Sequence, residues 1–279
     1  MQNLENSELK IAVKAHGAEL CSVLRKKDQK EYIWQADLQY WKRHAPTLFP
    51  IVGSLSDKRN ISMGRHGFAR DNEFKLIEKT TSKLVMELRS NTSTMEVYPY
   101  VFTLRMTYVL EKNTVDIVYD VINEGAAVMP FSIGAHPAFN CNLEGGQVSL
   151  EFEKEENLSR LSLDLELGLL NGSVQAMALE NRKMLLSEEL FSEDALVFKG
   201  LQSNWIKISD RSTNTDLKVH FSGFPYMGIW SPKAPFVCIE PWYGVTDSVG
   251  DKGPLTEKAG IITLEAGEQF NAIHSIEIL

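Results

Sequence analysis

The chain has 279 residues, 43% hydrophobic and 24% charged, with 37 acidic groups against 29 basic ones and a net charge of −8. This is ordinary globular composition with material for a sizeable core, and its acidic balance argues against nucleic acid or an anionic membrane as a partner. No apolar stretch approaches a membrane span, and the opening Met-Gln-Asn-Leu-Glu-Asn-Ser-Glu lacks the basic and apolar regions of a signal peptide. Cys21, Cys141 and Cys238 are odd in number, widely spaced and set among apolar or small residues. They read as buried free thiols, so a reducing, cytoplasmic location is expected.

Along the chain the dominant period is two. Strands are expected first at residues 9–15 and 84–90. Over 101–110, Phe102, Leu104, Met106, Tyr108 and Leu110 share one face; over 114–122, Val115, Ile117, Tyr119 and Val121 oppose Asp116 and Asp120. The polar Glu111-Lys112-Asn113 between these runs makes them an antiparallel hairpin. Further strands are expected at 147–152, 205–209, 216–221, 235–240, 260–264 and 273–279. Helical patterning is confined to 37–44 and 153–163. Strands this close, without helices between them, exclude a doubly wound α/β fold and favour an all-β sandwich. No linker, composition break, repeat or low-complexity tract divides the chain, so one domain over 1–279 is expected.

Four irregular stretches concentrate residues that touch sugars or move protons. They are 41–53, Trp-Lys-Arg-His-Ala-Pro-Thr-Leu-Phe-Pro-Ile-Val-Gly; 66–71, His-Gly-Phe-Ala-Arg-Asp; 130–140, Pro-Phe-Ser-Ile-Gly-Ala-His-Pro-Ala-Phe-Asn; and 238–247, Cys-Ile-Glu-Pro-Trp-Tyr-Gly-Val-Thr-Asp. In the third, small Gly134 and Ala135 let another group approach the His136 ring, and Pro137 biases His136 towards extended backbone. Such a held imidazole suits proton transfer near neutral pH; a satisfied core or turn histidine is the plainer alternative. Glu240 ends an apolar run and is followed by Pro241, Trp242 and Tyr243. Half-desolvated against aromatics, its carboxyl pKa would rise and make it a usable base. A structural carboxylate is the alternative there.

His66, beside Arg65 and Gly67, reads as a donor to a substrate oxygen or as a turn histidine. Lys42, Arg43, Lys58, Arg59, Arg65 and Arg70 reverse the chain's overall sign; they could form an anion site for a sugar phosphate or simply a solvated face. No His-Glu-x-x-His or Cys-x-x-Cys supports a dedicated zinc site, and no Gly-rich phosphate loop or Gly-x-Ser-x-Gly elbow is present. Trp205, Trp230 and Phe224 read as core, with Trp230 retaining a chance of lining a site.

At these four stretches the sequence resembles the aldose 1-epimerase (galactose mutarotase-like) family, in particular its bacterial branch associated with sugar-utilisation operons. The matching segments are Leu48-Phe49-Pro50-Ile51-Val52-Gly53, His66-Gly67-Phe68-Ala69-Arg70, 131–140, and Cys238-Ile239-Glu240-Pro241-Trp242-Tyr243-Gly244 with Asp247, in the family's order over nearly the whole chain. The resemblance implies a β-supersandwich of two large twisted sheets with a sugar cleft on a concave face. It implies His136 as general acid, Glu240 as general base, and His66, Arg70 and Asp194 as sugar contacts. Trp242 and Asp247 fall in the same matching segment and join the substrate-binding set. An Asn-Arg pair carried by the family's galactose enzymes is absent in that form; Arg43 or Arg59 are candidates to replace it.

Interconverting α and β anomers takes a proton from the C1 hydroxyl while another is given to the ring oxygen. The ring opens, C1–C2 rotates, and closure reverses the transfers. This needs one acid and one base about a ring's width apart and no metal or redox cofactor. The expected partner is a small sugar or sugar phosphate, acted on by a monomer or homodimer without nucleic acid or membrane. A non-catalytic carbohydrate-binding protein would lack the acid or the base. A glycosidase would pair Glu240 with Asp194 or Asp247 and leave His136 without a task.

Overall fold

The computed structural model describes residues 1–144 and 146–279. Among the described residues two large antiparallel sheets dominate. One runs Leu169–Met177, Leu158–Asp164, Leu196–Lys199, Tyr226–Trp230, Phe236–Tyr243, Ile133–Ala135 and Thr47–Leu48, with Ala138–Asn140 also pairing Phe236–Tyr243. The other runs Lys183–Leu185, Val148–Phe152, Trp205–Asp210, Thr215–His220, Gln269–Ile278, Thr114–Asn123, Phe102–Glu111, Lys83–Arg89 and Lys75–Lys79. A smaller sheet, Gln2–Glu5 to Lys30–Glu31, and the pair Met129–Phe131 with Ile262–Leu264 complete the strands. This is the all-β sandwich expected from the period-two patterning.

The alternation in Phe102–Glu111 and Thr114–Asn123 has its anticipated effect. Leu104, Met106, Tyr108, Val115, Ile117 and Tyr119 all point into one core. Met227, Ile229, Val237 and Ile239 reach the same core from the other large sheet. The opposite face of that second sheet carries two smaller clusters, around Trp242 and Val197 and around Phe236 and Cys238. The candidate site lies on this outward face.

Neither expected helix forms. At 37–44 the amides of Tyr40 and Trp41 bond to the Asp37 carbonyl in a single turn. His44 and Ala45 then donate their N–H groups to the buried Glu19 carboxylate, at 2.7 and 3.0 Å, so no helix continues. At 153–163 the strand Leu158–Asp164 forms instead, because Leu158 and Arg160 turn to the buried side while Ser159 faces out. Glu153 and Glu156 accept N–H groups from Gln202, Ser203 and Asn204, so the acidic run braces a loop. Among the described residues one α-helix forms, Thr92–Val97, capped reciprocally by Asn91 and Thr94.

Candidate active site

Strand register makes the site. In the antiparallel pairing with Phe236–Tyr243, Gly134 lies opposite Trp242 and Ala138 opposite Cys238. Midway between these pairs, His136 falls opposite Glu240. Pro137 separates the two short strands on either side of it, and its carbonyl still accepts the Ile239 N–H at 3.4 Å. On the far side of Glu240 stands Gly228, while Trp230 is opposite Cys238. Because side chains alternate, the residues at even positions of these three strands share the outward face.

A cleft of about 310 Å³ opens there, lined by Trp41, Arg65, His66, Arg70, His136, Asp194, Ala195, Trp230, Glu240 and Trp242. His136 Nε2 lies 3.2 Å from Glu240 Oε2. The approach is not aligned as a hydrogen bond: Glu240 Oε2 and His136 Nδ1 are buried without a hydrogen-bond partner among the described residues. The separation is shorter than the ring's width expected from sequence.

Aromatic walls fix the pair. Trp41 stacks on His136 with ring centroids 4.9 Å apart and planes 26° apart. Trp230 and His66 meet the same ring edge-on, each at 5.6 Å. Trp41 is itself tied down, its carbonyl accepting the Trp34 indole N–H at 2.8 Å. Trp242 lies across the sheet face between two glycines: a Cβ on Gly134 would come within 2.5 Å of its ring and one on Gly228 within 2.4 Å. Its indole N–H donates to the Ala135 carbonyl at 3.2 Å and also favours the ionised form of Glu240, so Trp242 offers the cleft mainly an apolar wall.

His66 has a defined tautomer. Its Nδ1 accepts the Gly53 N–H at 3.1 Å, so the proton of the neutral ring sits on Nε2. Burial, together with His136 and the nearby arginines, pushes its pKa well below the usual histidine range. His66 is therefore a fixed neutral donor. Arg70 donates to the Arg65 carbonyl at 2.5 Å. Arg65 is half exposed and stands 3.6 Å from Asp194. Asp194 has a left-handed backbone, φ 66°, and follows Glu193, whose carbonyl and carboxylate are held by the buried Arg160 at 2.5 and 3.2 Å.

Burial works in opposite directions on the central pair. It lowers His136 to about 3, helped by Arg65, Arg70 and Arg43. It raises Glu240 well above the carboxylate range, an effect that Arg65 opposes. Both groups are driven towards their neutral forms.

Of the sequence candidates, His136, Glu240, His66, Arg70, Asp194 and Trp242 meet in this cleft. Asp247 does not. It is fully buried elsewhere, accepting from Arg59 at 2.8 and 3.1 Å, from Lys258 at 3.1 Å and from the Ser56 N–H at 2.9 Å. That network also removes Arg59 from consideration as a sugar contact. Arg43 is engaged with Asp71 at 2.7 Å. Trp230 both lines the cleft and packs against the two outward clusters, and Trp205 is only half buried, with Lys218 over its ring at 4.5 Å. Sequence reading assigned no role to Trp41, although it opens the first stretch. The glycine between alternating large residues in Tyr226–Trp230 was the signal that a ring crosses that strand.

An imidazole and a carboxylate on the floor of a cleft, walled by indoles and rimmed by arginines, on the outward face of an antiparallel sandwich, mark a fold of the mutarotase type. The chain belongs to the aldose 1-epimerase family, whose model matches residues 1–277. It is 37% identical to the plasmid-encoded protein LacX of Lactococcus lactis, covering 99% of this chain and 98% of that one. A galactose mutarotase-like protein from Lactobacillus casei superposes with a TM-score of 0.95 at 31% identity, covering all of both chains. A galactose mutarotase related enzyme from Lactobacillus acidophilus superposes with a TM-score of 0.93 at 31% identity, covering 100% of this chain and 97% of that one.

Proposed function

We propose that this chain is an aldose 1-epimerase that interconverts the α and β anomers of an aldohexose or its phosphate. His136 is the acid at the ring oxygen and Glu240 the base at the C1 hydroxyl. The observation that carries this reading is the 3.2 Å approach of His136 Nε2 to Glu240 Oε2 on the cleft floor. A sugar laid over both atoms has one of its two C1-bonded oxygens against each.

The resting pair and the working pair contain the same number of protons. A neutral imidazole beside a protonated carboxyl becomes an imidazolium beside a carboxylate when one proton crosses the gap. Arg65, which already favours the ionised Glu240, assists that crossing, as do the sugar hydroxyls. Glu240 then takes the C1 hydroxyl proton while His136 protonates the ring oxygen, and the C1–ring oxygen bond breaks to give the aldehyde. Rotation about C1–C2 and closure return both protons. The pair is thereby reset without a cofactor. General acid–base catalysis of this type contributes roughly 10²–10⁴-fold, and orientation in the cleft adds to it.

His66 Nε2–H and Asp194 serve as hydroxyl partners, with Trp41, Trp230 and Trp242 as walls. The half-exposed Arg65 at the rim supports a phosphorylated hexose as an alternative to the free sugar. Three buried unpaired thiols support a cytoplasmic setting, and no helix among the described residues is long and apolar enough to cross a membrane. The test is anomer-exchange NMR over free and phosphorylated aldohexoses: at least one should equilibrate faster with the protein than without it. Binding of a sugar with no acceleration would instead make this a carbohydrate-binding protein. Release of phenol from an aryl glycoside would make it a glycosidase.

A further inference from the structure

One buried nucleophile has no part in the proton transfers described above. Cys238 sits two residues before Glu240 on the same strand, on the same outward face, beside the position facing His136. Donor atoms of His136, Cys238 and Glu240 all lie within 4.8 Å of one another, and all three residues are buried. We propose that the base of the cleft, where fully buried Cys238 lies beneath the His136–Glu240 pair, is a binding site for a thiophilic divalent cation of the zinc class, held by His136 Nε2, Cys238 Sγ and a Glu240 carboxylate oxygen.

Three independent features support this. First, the 3.2 Å between His136 Nε2 and Glu240 Oε2 fits two ligands of one tetrahedral ion, which stand roughly 3.3 Å apart for metal–ligand distances of about 2.0–2.1 Å. Second, Glu240 Oε2 is buried without a hydrogen-bond partner among the described residues, so coordination satisfies an atom that is otherwise orphaned. Third, the charges balance. A thiolate, a carboxylate and a neutral imidazole cancel a dication, leaving no net charge in a low-dielectric pocket.

Three protein ligands leave one tetrahedral position, which can take water or a hydroxyl. Thiolate and imidazole select zinc or cadmium over magnesium, which requires oxygen ligands. Binding drives the thiol proton and the proton of the His136–Glu240 pair into solvent. The ion then occupies the lone pairs that proton transfer needs, so the metal-bound form is switched off. That last consequence rests on the mutarotase reading; the binding itself does not.

The test is therefore made on binding, without reference to activity. Purified protein, cleared of metal with chelator and kept reduced, is titrated separately with cadmium, zinc and magnesium ions. Metal per chain is measured after equilibrium dialysis, and cadmium–thiolate absorption in the ultraviolet identifies the sulfur ligand. The expected result is one cadmium or zinc ion per chain, no magnesium, and a cadmium–thiolate band that vanishes in Cys238→Ser while Cys21 and Cys141 remain. Glu240→Gln, which keeps the thiol and the side-chain shape, should weaken cadmium by more than about a hundredfold, beyond the usual cost of losing an outer-shell partner. Failure to bind either ion stoichiometrically would overturn the proposal, as would a band unchanged in both variants. If metal binds as expected but no sugar is epimerised, the site stands and the catalytic reading falls.

Discussion

His136 and Glu240 face one demand from burial, which is to be uncharged, and the opposite demand from the proposed catalysis. Their approach reconciles the two because a single shared proton can sit on either group. The rate should therefore hold over the pH range in which the pair keeps that one proton. With His136 lowered from 6.5 to about 3 and Glu240 raised, the acid limb of the pH–rate profile should lie below the ordinary histidine range. The basic limb should lie above the ordinary carboxylate range. A kcat/KM profile whose acid limb lies near pH 6.5, falling as the pH drops through that value, would show that the free site does not hold a neutral imidazole. His274 carries a separate prediction, about stability. It is fully buried against Tyr119, 3.2 Å from its hydroxyl, and burial lowers it from 6.5 to about 3. Between those values the unfolded chain binds a proton that the folded chain does not, so stability falls as pH drops through this window, by about 1.4 kcal/mol per pH unit. His274→Gln should lose up to about 3 kcal/mol less than the wild type between pH 7 and pH 4 in urea titrations. His136 and Glu240 were legible as residues because their neighbours, small Gly134 and Ala135 on one side and Trp242 and Tyr243 on the other, state an environment. Their charge balance was not, since it depends on Arg65, Arg70 and Arg43 arriving from other segments.

At the level of elements, the site depends on a register that no local pattern encodes. The run ending in Glu240 reads as a buried strand, and Pro137 reads as a break. That the two place Glu240 opposite His136 follows only from the long-range pairing of Phe236–Tyr243 with both short strands. Tyr226–Trp230, not among the strands expected from sequence, is a central strand because Tyr226, Gly228 and Trp230 pair with Trp242, Glu240 and Cys238. Gly228→Ala puts a Cβ 2.4 Å from the Trp242 ring. The ring must move, so the variant should lose about 1–3 kcal/mol of stability together with sugar affinity, read by urea unfolding and by titration. Asp247 shows how a local motif misleads. Its place in a matching segment suggested a sugar contact, while its real partners, Arg59 and Lys258, come from segments whose positions sequence alone does not reveal. Asp247→Asn leaves those two buried cations undercompensated and should cost about 3–5 kcal/mol, measured by urea unfolding. A loss of sugar binding with unchanged stability would contradict this assignment.

For the whole molecule, alternating strands and the scarcity of helical patterning made the sandwich legible before any coordinates. The two helices expected at 37–44 and 153–163 failed where side chains such as Glu19 captured backbone N–H groups from a distance. The main core gathers side chains from Leu4 to Ile278 across both large sheets, so heat or urea is expected to unfold the chain in one cooperative transition; two separated transitions would divide it into independent units. On this scaffold the proposed acid and base, far apart in the chain, meet across paired neighbouring segments and would serve one carbon of one sugar. The most direct test is anomer-exchange NMR on His136→Asn, Glu240→Gln and the double variant, using whichever hexose the wild type accelerates. Each single variant should lose at least about a hundredfold, and the double variant should be little worse than either, because the two groups act as a unit. Near-normal turnover in a folded single variant, or losses that multiply in the double, would contradict the account.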